Sequence, residues 1–156
     1  MKLHVEWNRL VQLKDAQWKN LIYEIDLEKL PRSPGVYVFG RKWGNSFEAL
    51  YIGKAKDIRI RVRSQLNNLS LMQHIRHAKS GSRVLLAGQF ISKPGQKEAK
   101  CLGLIERSFI RHFLSEGHDL VNIQGTQLRQ HEIKSVGKYP KKLIPKLMYL
   151  ERTKGK

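Results

Sequence analysis

The chain has 156 residues, 40% hydrophobic and 28% charged, a balance that supports one packed domain with short extensions and excludes both two independent cores and a disordered chain. Thirty Lys and Arg against thirteen Asp and Glu give a formal net charge of +17, so the expected partner is a polyanion. Nucleic acid ranks first, because regularly spaced phosphates reward distributed Lys and Arg contacts through counterion release; ribosomes and anionic lipid are the alternatives.

Charge is unevenly spread, with net +1 over residues 1–34, +9 over 35–127 and +7 over 128–156. Cys101 is the sole cysteine, which excludes an intramolecular disulfide and fits a reducing, cytoplasmic or nucleoid-associated setting. The first residues, MKLHVEWNRL, alternate polar with apolar and lack the apolar stretch of a signal peptide. No window approaches the roughly 18 apolar residues of a membrane span. The expectation is a protein that is neither secreted nor membrane-embedded.

Within residues 1–34, Leu10, Leu13, Trp18, Leu21, Ile22 and Ile25 recur at helical separations, which predicts an amphipathic helical extension ending at Pro31 and Pro34. From Gly35 the pattern changes. VYVFG, a polar turn and ALYIG read as two strands of a β-hairpin. KAKDIRIRVRSQLNNL follows, with Ile58, Val62, Leu66 and Leu69 forming one buried helical stripe. RVLLAGQFI supplies a third strand, and KEAKCLGLIERSFIRHFL a long helix burying Leu102, Ile105, Phe109 and Phe113, stopped by Gly117. LVNI is a short extended segment before Gly125. The basic segment 128–156 carries Arg129, Lys134, Lys138, Lys141, Lys142 and Lys146 and reads as an arm, with Leu143, Ile144, Leu147, Met148 and Leu150 expected to form a short helix. The predicted architecture is α+β: a small mixed or antiparallel three-stranded sheet flanked by helices.

Gly35-Val36-Tyr37 on the first strand, Tyr51-Ile52-Gly53 on the second and the helix that begins with Lys54 resemble the GIY-YIG nuclease family. They are most similar to the nuclease module that begins bacterial excinuclease C subunits. The likeness runs from about residue 30 to 125 and includes LPRSPGVYVF, ALYIGKAKDIRIRVRSQL, LIERSFIRHF and LVNI. It implies a DNA endonuclease that uses Mg²⁺, with Mn²⁺ as a substitute ion, and leaves 5′-phosphate and 3′-hydroxyl ends.

Roles follow position by position. Tyr37 and Tyr51 on adjacent strands bring two phenols to one side of the sheet, where the resemblance implies that they position or deprotonate the attacking water and contact the scissile phosphate. A phenol with a pKa of about 10 is a poor base at neutral pH, and nearby Lys or Arg is expected to favour its deprotonation. Arg61, ten residues after Tyr51, matches the family's arginine and leaves its helix at the edge of the buried stripe, where a guanidinium can grip a phosphate. Lys54, Arg59 and Arg63 are candidate substrate contacts, as are Lys141, Lys142 and Lys146 in the arm.

Gln65 departs from the family, which often has His or Tyr there; an amide can bind water or phosphate but exchanges no proton near pH 7. His74 and His77 could stand in for the missing group or form half a metal site, although a surface pair is the simpler reading. Glu106, beside Ile105 in the last helix, is the implied metal ligand, holding a largely hydrated Mg²⁺ through one carboxylate. Asn122 is the implied orienting residue. Specificity stays open between site-specific and structure-specific cutting, with residues 40–48 or the arm as candidate readers. A non-catalytic nucleic-acid-binding protein, motivated by Gln65, and an RNA-associated basic protein are the other readings.

Overall fold

The computed structural model describes residues 1–17, 20–122, 128 and 130–151. Trp18, Ile123, Gly125 and Arg129 lie outside them. In chain order the elements are β1 (His4–Trp7), β2 (Val11–Gln12), β3 (Lys14–Asp15), β4 (Tyr23–Glu24), a 3-10 turn (Leu27–Lys29), β5 (Gly35–Trp43) and β6 (Ser46–Ala55). There follow α1 (Ile58–Leu66), α2 (Leu69–His77), β7 (Ser82–Ile91), α3 (Glu98–Ser115), β8 (Gln130–Lys134) and β9 (Leu147–Glu151).

The fold is α+β around an antiparallel sheet whose order is β1-β7-β5-β6, with β2 also on β7. The three strands read from the sequence form its centre. Because side chains alternate between faces, the two faces carry different partners. Tyr37, Phe39 and Tyr51 face Ile58, Val62 and Leu66 of α1 and Leu71, Met72 and Ile75 of α2. On the other face Val36, Val38 and Ile52 meet Cys101, Leu102, Ile105 and Leu114 of α3.

The N-terminal segment is not the helix its spacing predicts. β1 pairs with β7 from His4 opposite Ile91 to Trp7 opposite Gly88, and β2 continues along the same edge with Val11 opposite Leu85. Without them the outer edge of β7 would expose a row of unpaired backbone groups, and that demand outweighs a helical spacing of apolar residues. The alternation in LHVEW, ahead of the residues with helical spacing, is the strand period that β1 uses.

The helix after Lys54 also starts later and ends earlier than expected. Lys54 and Ala55 remain in the ladder, opposite Val36 and Gly35. Asp57 then caps α1 by accepting from the Ile60 N–H at 3.0 Å. Asn67 and Asn68 break the helix, Asn68 capping α2 through the Leu71 N–H at 3.1 Å, so Leu69 is exposed rather than part of the buried stripe. Arg83 closes the far end of α2, its guanidinium donating to the Ala78 carbonyl at 2.8 Å and the Arg76 carbonyl at 3.2 Å.

Past α3 the chain turns at Gly117, whose φ of +81° suits a residue without Cβ. His118 then stacks on Phe113, and its Nδ1 accepts the Ala49 N–H at 2.7 Å, while the Val121 N–H donates to the Leu50 carbonyl at 2.8 Å. Both bonds lie on the outer edge of β6.

Burial holds the His118 pKa below its ordinary 6.5, so the folded state resists protonation at a nitrogen that must stay an acceptor. The unfolded chain takes up the proton first as pH falls below about 6.5, and stability is lost with it. Thermal melts between pH 7.5 and 5 should therefore show a drop that His118→Asn diminishes.

The basic arm is a hairpin, not a helix. β8 and β9 pair antiparallel from Lys134 opposite Leu147 outward, and Pro140 and Pro145 stand where a helix would need backbone donors. Tyr149 packs beside Gly117 and joins the α3 side of the core, so the hairpin is docked on the domain.

Candidate active site

Two features of the β5–β6 register set the phenols in place. Phe39 lies opposite Tyr51 and Tyr37 opposite Gly53, with the two tyrosine ring centroids 6.0 Å apart. The Tyr37 ring lies where a side chain on Gly53 would project, and a Cβ there would collide with its hydroxyl. Glycine at 53 is thus a steric requirement of Tyr37.

Gln65 joins the pair from α1. Its side-chain amide donates to the Tyr37 hydroxyl at 2.9 Å and to the Tyr51 hydroxyl at 3.2 Å, and it is only 3% exposed. One NH₂ group supplies two donors, so both phenolic oxygens act as acceptors, and the two hydroxyls also interact with each other. Tyr37 is fully buried at 0% exposure, whereas Tyr51 reaches 6%. Between the two phenols, Tyr51 is the one nearer solvent.

Arg61 is one turn before Gln65 on α1 and half-buried; Glu106 approaches from α3 on the opposite face of the sheet and is also half-buried. The charges of both act on Tyr51, and Arg61 acts on Glu106. The two helices therefore converge around β6, the edge strand. Lys54 completes the group: its ammonium and its backbone N–H both favour the ionised form of Glu106. That ammonium lies 3.7 Å from where a Cβ on Gly103 would be.

The electrostatics correct one expectation. Burial, followed by the neighbouring Tyr37 and the Glu106 charge, pushes the Tyr51 phenol well above its ordinary value of 10, against a smaller opposite pull from Arg61. Desolvation outweighs the cations. Tyr51 stays protonated at working pH and is a hydrogen-bond donor. Glu106 is likewise held above its usual 4.5 by burial, with Lys54 and Arg61 pulling the other way.

The remaining candidates fall in different places. Arg59 is committed to the fold: its guanidinium donates twice to the Leu30 carbonyl, at 2.8 and 3.0 Å, and lies 3.6 Å from the Glu28 carboxylate. These partners tie α1 to the 3-10 turn. Arg63 is exposed, as are Lys141, Lys142 and Lys146 between β8 and β9. Asn122 is partly buried and follows Val121, which sits on the edge of β6 beside Tyr51. His74 and His77 line a separate pocket of about 320 Å³ with Glu48, Leu50, Asp119 and Val121.

Among the described residues no group of three or more His, Cys, Asp or Glu side chains could hold a metal ion. A lone carboxylate at an open edge fits only a hard cation that keeps most of its water and completes its shell with substrate oxygens, as Mg²⁺ does. Sequence reasoning missed the role of Gly53 as a clearance for the Tyr37 ring.

No protein-family model matches the chain, and no solved structure matches it. A 43-residue stretch is 51% identical to UvrABC system protein C of Synechocystis sp., covering 28% of this chain and 6% of that protein. No helix among the described residues is long and apolar enough to cross a membrane. Over a little more than a quarter of its length, then, the chain is similar to a small part of UvrABC system protein C.

Proposed function

We propose that the chain is a DNA endonuclease of the GIY-YIG kind that hydrolyses a phosphodiester bond at the open edge of β6, with Mg²⁺, or Mn²⁺ in its place, as cofactor. The observation that carries this reading is the grouping of Tyr51 and Lys54 from the edge strand β6 with Arg61 and Glu106 from helices on opposite faces of the sheet. Two cations and a protonated phenol offer donors to phosphate oxygens, and the adjacent carboxylate is a ligand for a hydrated cation. The similarity to UvrABC system protein C and the charge of +17 support the same substrate.

In this reading Arg61 holds the phosphate and offsets charge developing on it. Tyr51 donates its proton to a phosphate oxygen. Tyr37 works from behind, buried against Gly53, and fixes the Tyr51 hydroxyl through the shared Gln65 amide. Lys54 orients Glu106 through its backbone and faces the substrate with its ammonium, and Asn122 orients the same edge. Bound at Glu106, Mg²⁺ would supply Lewis acidity, lowering the pKa of a water and stabilising the leaving oxygen. Water adding to phosphorus as the P–O3′ bond breaks, with the 3′ oxygen leaving and taking a proton, gives 5′-phosphate and 3′-hydroxyl ends.

A second reading, DNA binding without cleavage, is favoured by one observation: the position that meets both phenols is an amide that exchanges no proton. Incubation with supercoiled plasmid and with branched or flapped oligonucleotides, in Mg²⁺ or EDTA, decides between them. Metal-dependent cutting that Arg61→Ala abolishes is the expected result. Retarded but uncut DNA under every metal and substrate would select the second reading, and a preference for RNA in competition would reject both.

Replacing Lys141, Lys142 and Lys146 together with Ala should weaken binding and reduce the slope of log affinity against log salt by about three times the single-contact value of roughly 0.9. A titration series in 50 to 200 mM salt measures that slope. An unchanged slope would remove the β8–β9 loop from the interface.

A further inference from the structure

The turn of the β5–β6 hairpin carries two aromatic side chains that the fold does not use. Trp43 is 41% exposed and Phe47 50% exposed, on opposite faces of the ribbon: Trp43 shares a face with Arg41, and Phe47 lies opposite Lys42. The turn between the strands is two residues, Gly44 and Asn45, with Gly44 at φ +57°, as tight hairpins require.

Trp43 is held firmly for a surface residue. The Arg41 guanidinium lies 3.8 Å over its ring. That guanidinium is itself fixed, with Nε donating to Glu48 at 2.8 Å and a terminal nitrogen donating to the Ser80 carbonyl at 2.8 Å, and the residue is buried. One face of the indole is therefore occupied by a cation, and its exposed area belongs to the other face and the edge. A fixed aromatic plane with one open face, on a surface of strong positive charge with Lys42 beside it, complements a flat group attached to an anionic backbone.

We infer that Trp43 is a stacking platform for an unpaired base of DNA. The inference rests on the DNA-binding part of the reading above and not on cleavage. Trp43 is four residues along β5 from Phe39, the cross-strand neighbour of Tyr51. At about 3.3 Å per residue this is about 13 Å, or about four stacked nucleotides at roughly 3.4 Å each. A strand held at Tyr51 reaches the platform only if its bases are unpaired there, because a base inside a duplex is covered on both faces by its stacked neighbours. The substrate class is therefore a duplex that opens into a single strand near the cut.

Base stacking on an aromatic side chain is sequence-tolerant and amounts to roughly 1–3 kcal/mol per base, so one platform should give about ten-fold in affinity. The test is fluorescence anisotropy in EDTA, with the full chain, on a blunt 20-base-pair duplex and on the same duplex carrying a six-nucleotide thymine overhang. The expected result is an overhang preference of about ten-fold, lost in Trp43→Ala with blunt binding unchanged and retained in Trp43→Phe.

Equal binding of the two probes by the unaltered protein would overturn the inference, as would an equal loss on both in Trp43→Ala or a change in oligomeric state in that variant. Because no cleavage is involved, an overhang preference that depends on Trp43 stands even if Mg²⁺ yields no product. Conversely, metal-dependent cutting with no effect of Trp43 would leave the nuclease and remove the platform.

Discussion

Glu106→Gln is expected to lower Mg²⁺-dependent cleavage by about 10²-fold or more and, at neutral pH, to raise the melting temperature. The first effect follows because an amide is a poor ligand for a hard cation. The second follows from the direction of the Glu106 pKa, which burial holds above 4.5 in the folded chain. Below about pH 4.5 the carboxyl is protonated whether the chain is folded or not, and its contribution to stability is fully present. As pH rises through the folded value the unfolded chain has already released the proton, so folding loses stability. Gln keeps an oxygen for the Lys54 N–H and carries no charge to desolvate. Plasmid relaxation, with melts at pH 5 and 7.5, tests both parts. Full-rate cleavage by the variant would remove Glu106 from the metal site, and a melting temperature lowered at pH 7.5 would contradict the burial argument.

Gln65→Leu should cost both stability and activity, while Gln65→His should recover much of each. Leucine fills similar space but leaves two phenolic oxygens in the protein interior without their donor. A buried group left unsatisfied costs about 1–3 kcal/mol, and the two hydroxyls compensate in part by bonding to each other. With the amide gone, Tyr51 is no longer fixed from behind, and cleavage should fall by about ten-fold or more. An imidazole restores a donor at the same place. Denaturant titration and single-turnover rates of the three proteins give the comparison. Gln65→Leu at full stability would show that the shared amide does not hold the pair.

Much of this site was legible in the chain. Tyr37, Tyr51, Arg61 and Glu106 come from four elements whose local periods are unambiguous, and the hairpin, the third strand and α3 appear where the alternation and the 3.6-residue spacing put them. The errors share a cause. Residues 1–34 and 143–150 carry apolar residues at spacings that fit either a helix or a strand, and pairing with the rest of the molecule decided between them: the edge of β7 in one case, β8 and the end of α3 in the other. The break at Asn67–Asn68 was misread because an apolar residue at the right separation, Leu69, looked like part of the stripe.

The chemistry shows the same division. Composition and spacing determined a strongly basic α+β domain with a hairpin, a third strand and later helices, because each of these depends on residues close in sequence, and the family resemblance singled out the two tyrosines, the arginine and the glutamate on them. Only the tertiary structure decided what those groups can do. Tyr37 is shut behind Gly53, and Arg59 is tied to the Leu30 carbonyl. Tyr51 stays protonated despite the cations around it, because desolvation depends on which atoms are covered. Residues far apart in the chain supply that cover, and their arrangement is set by packing on the two faces of one sheet.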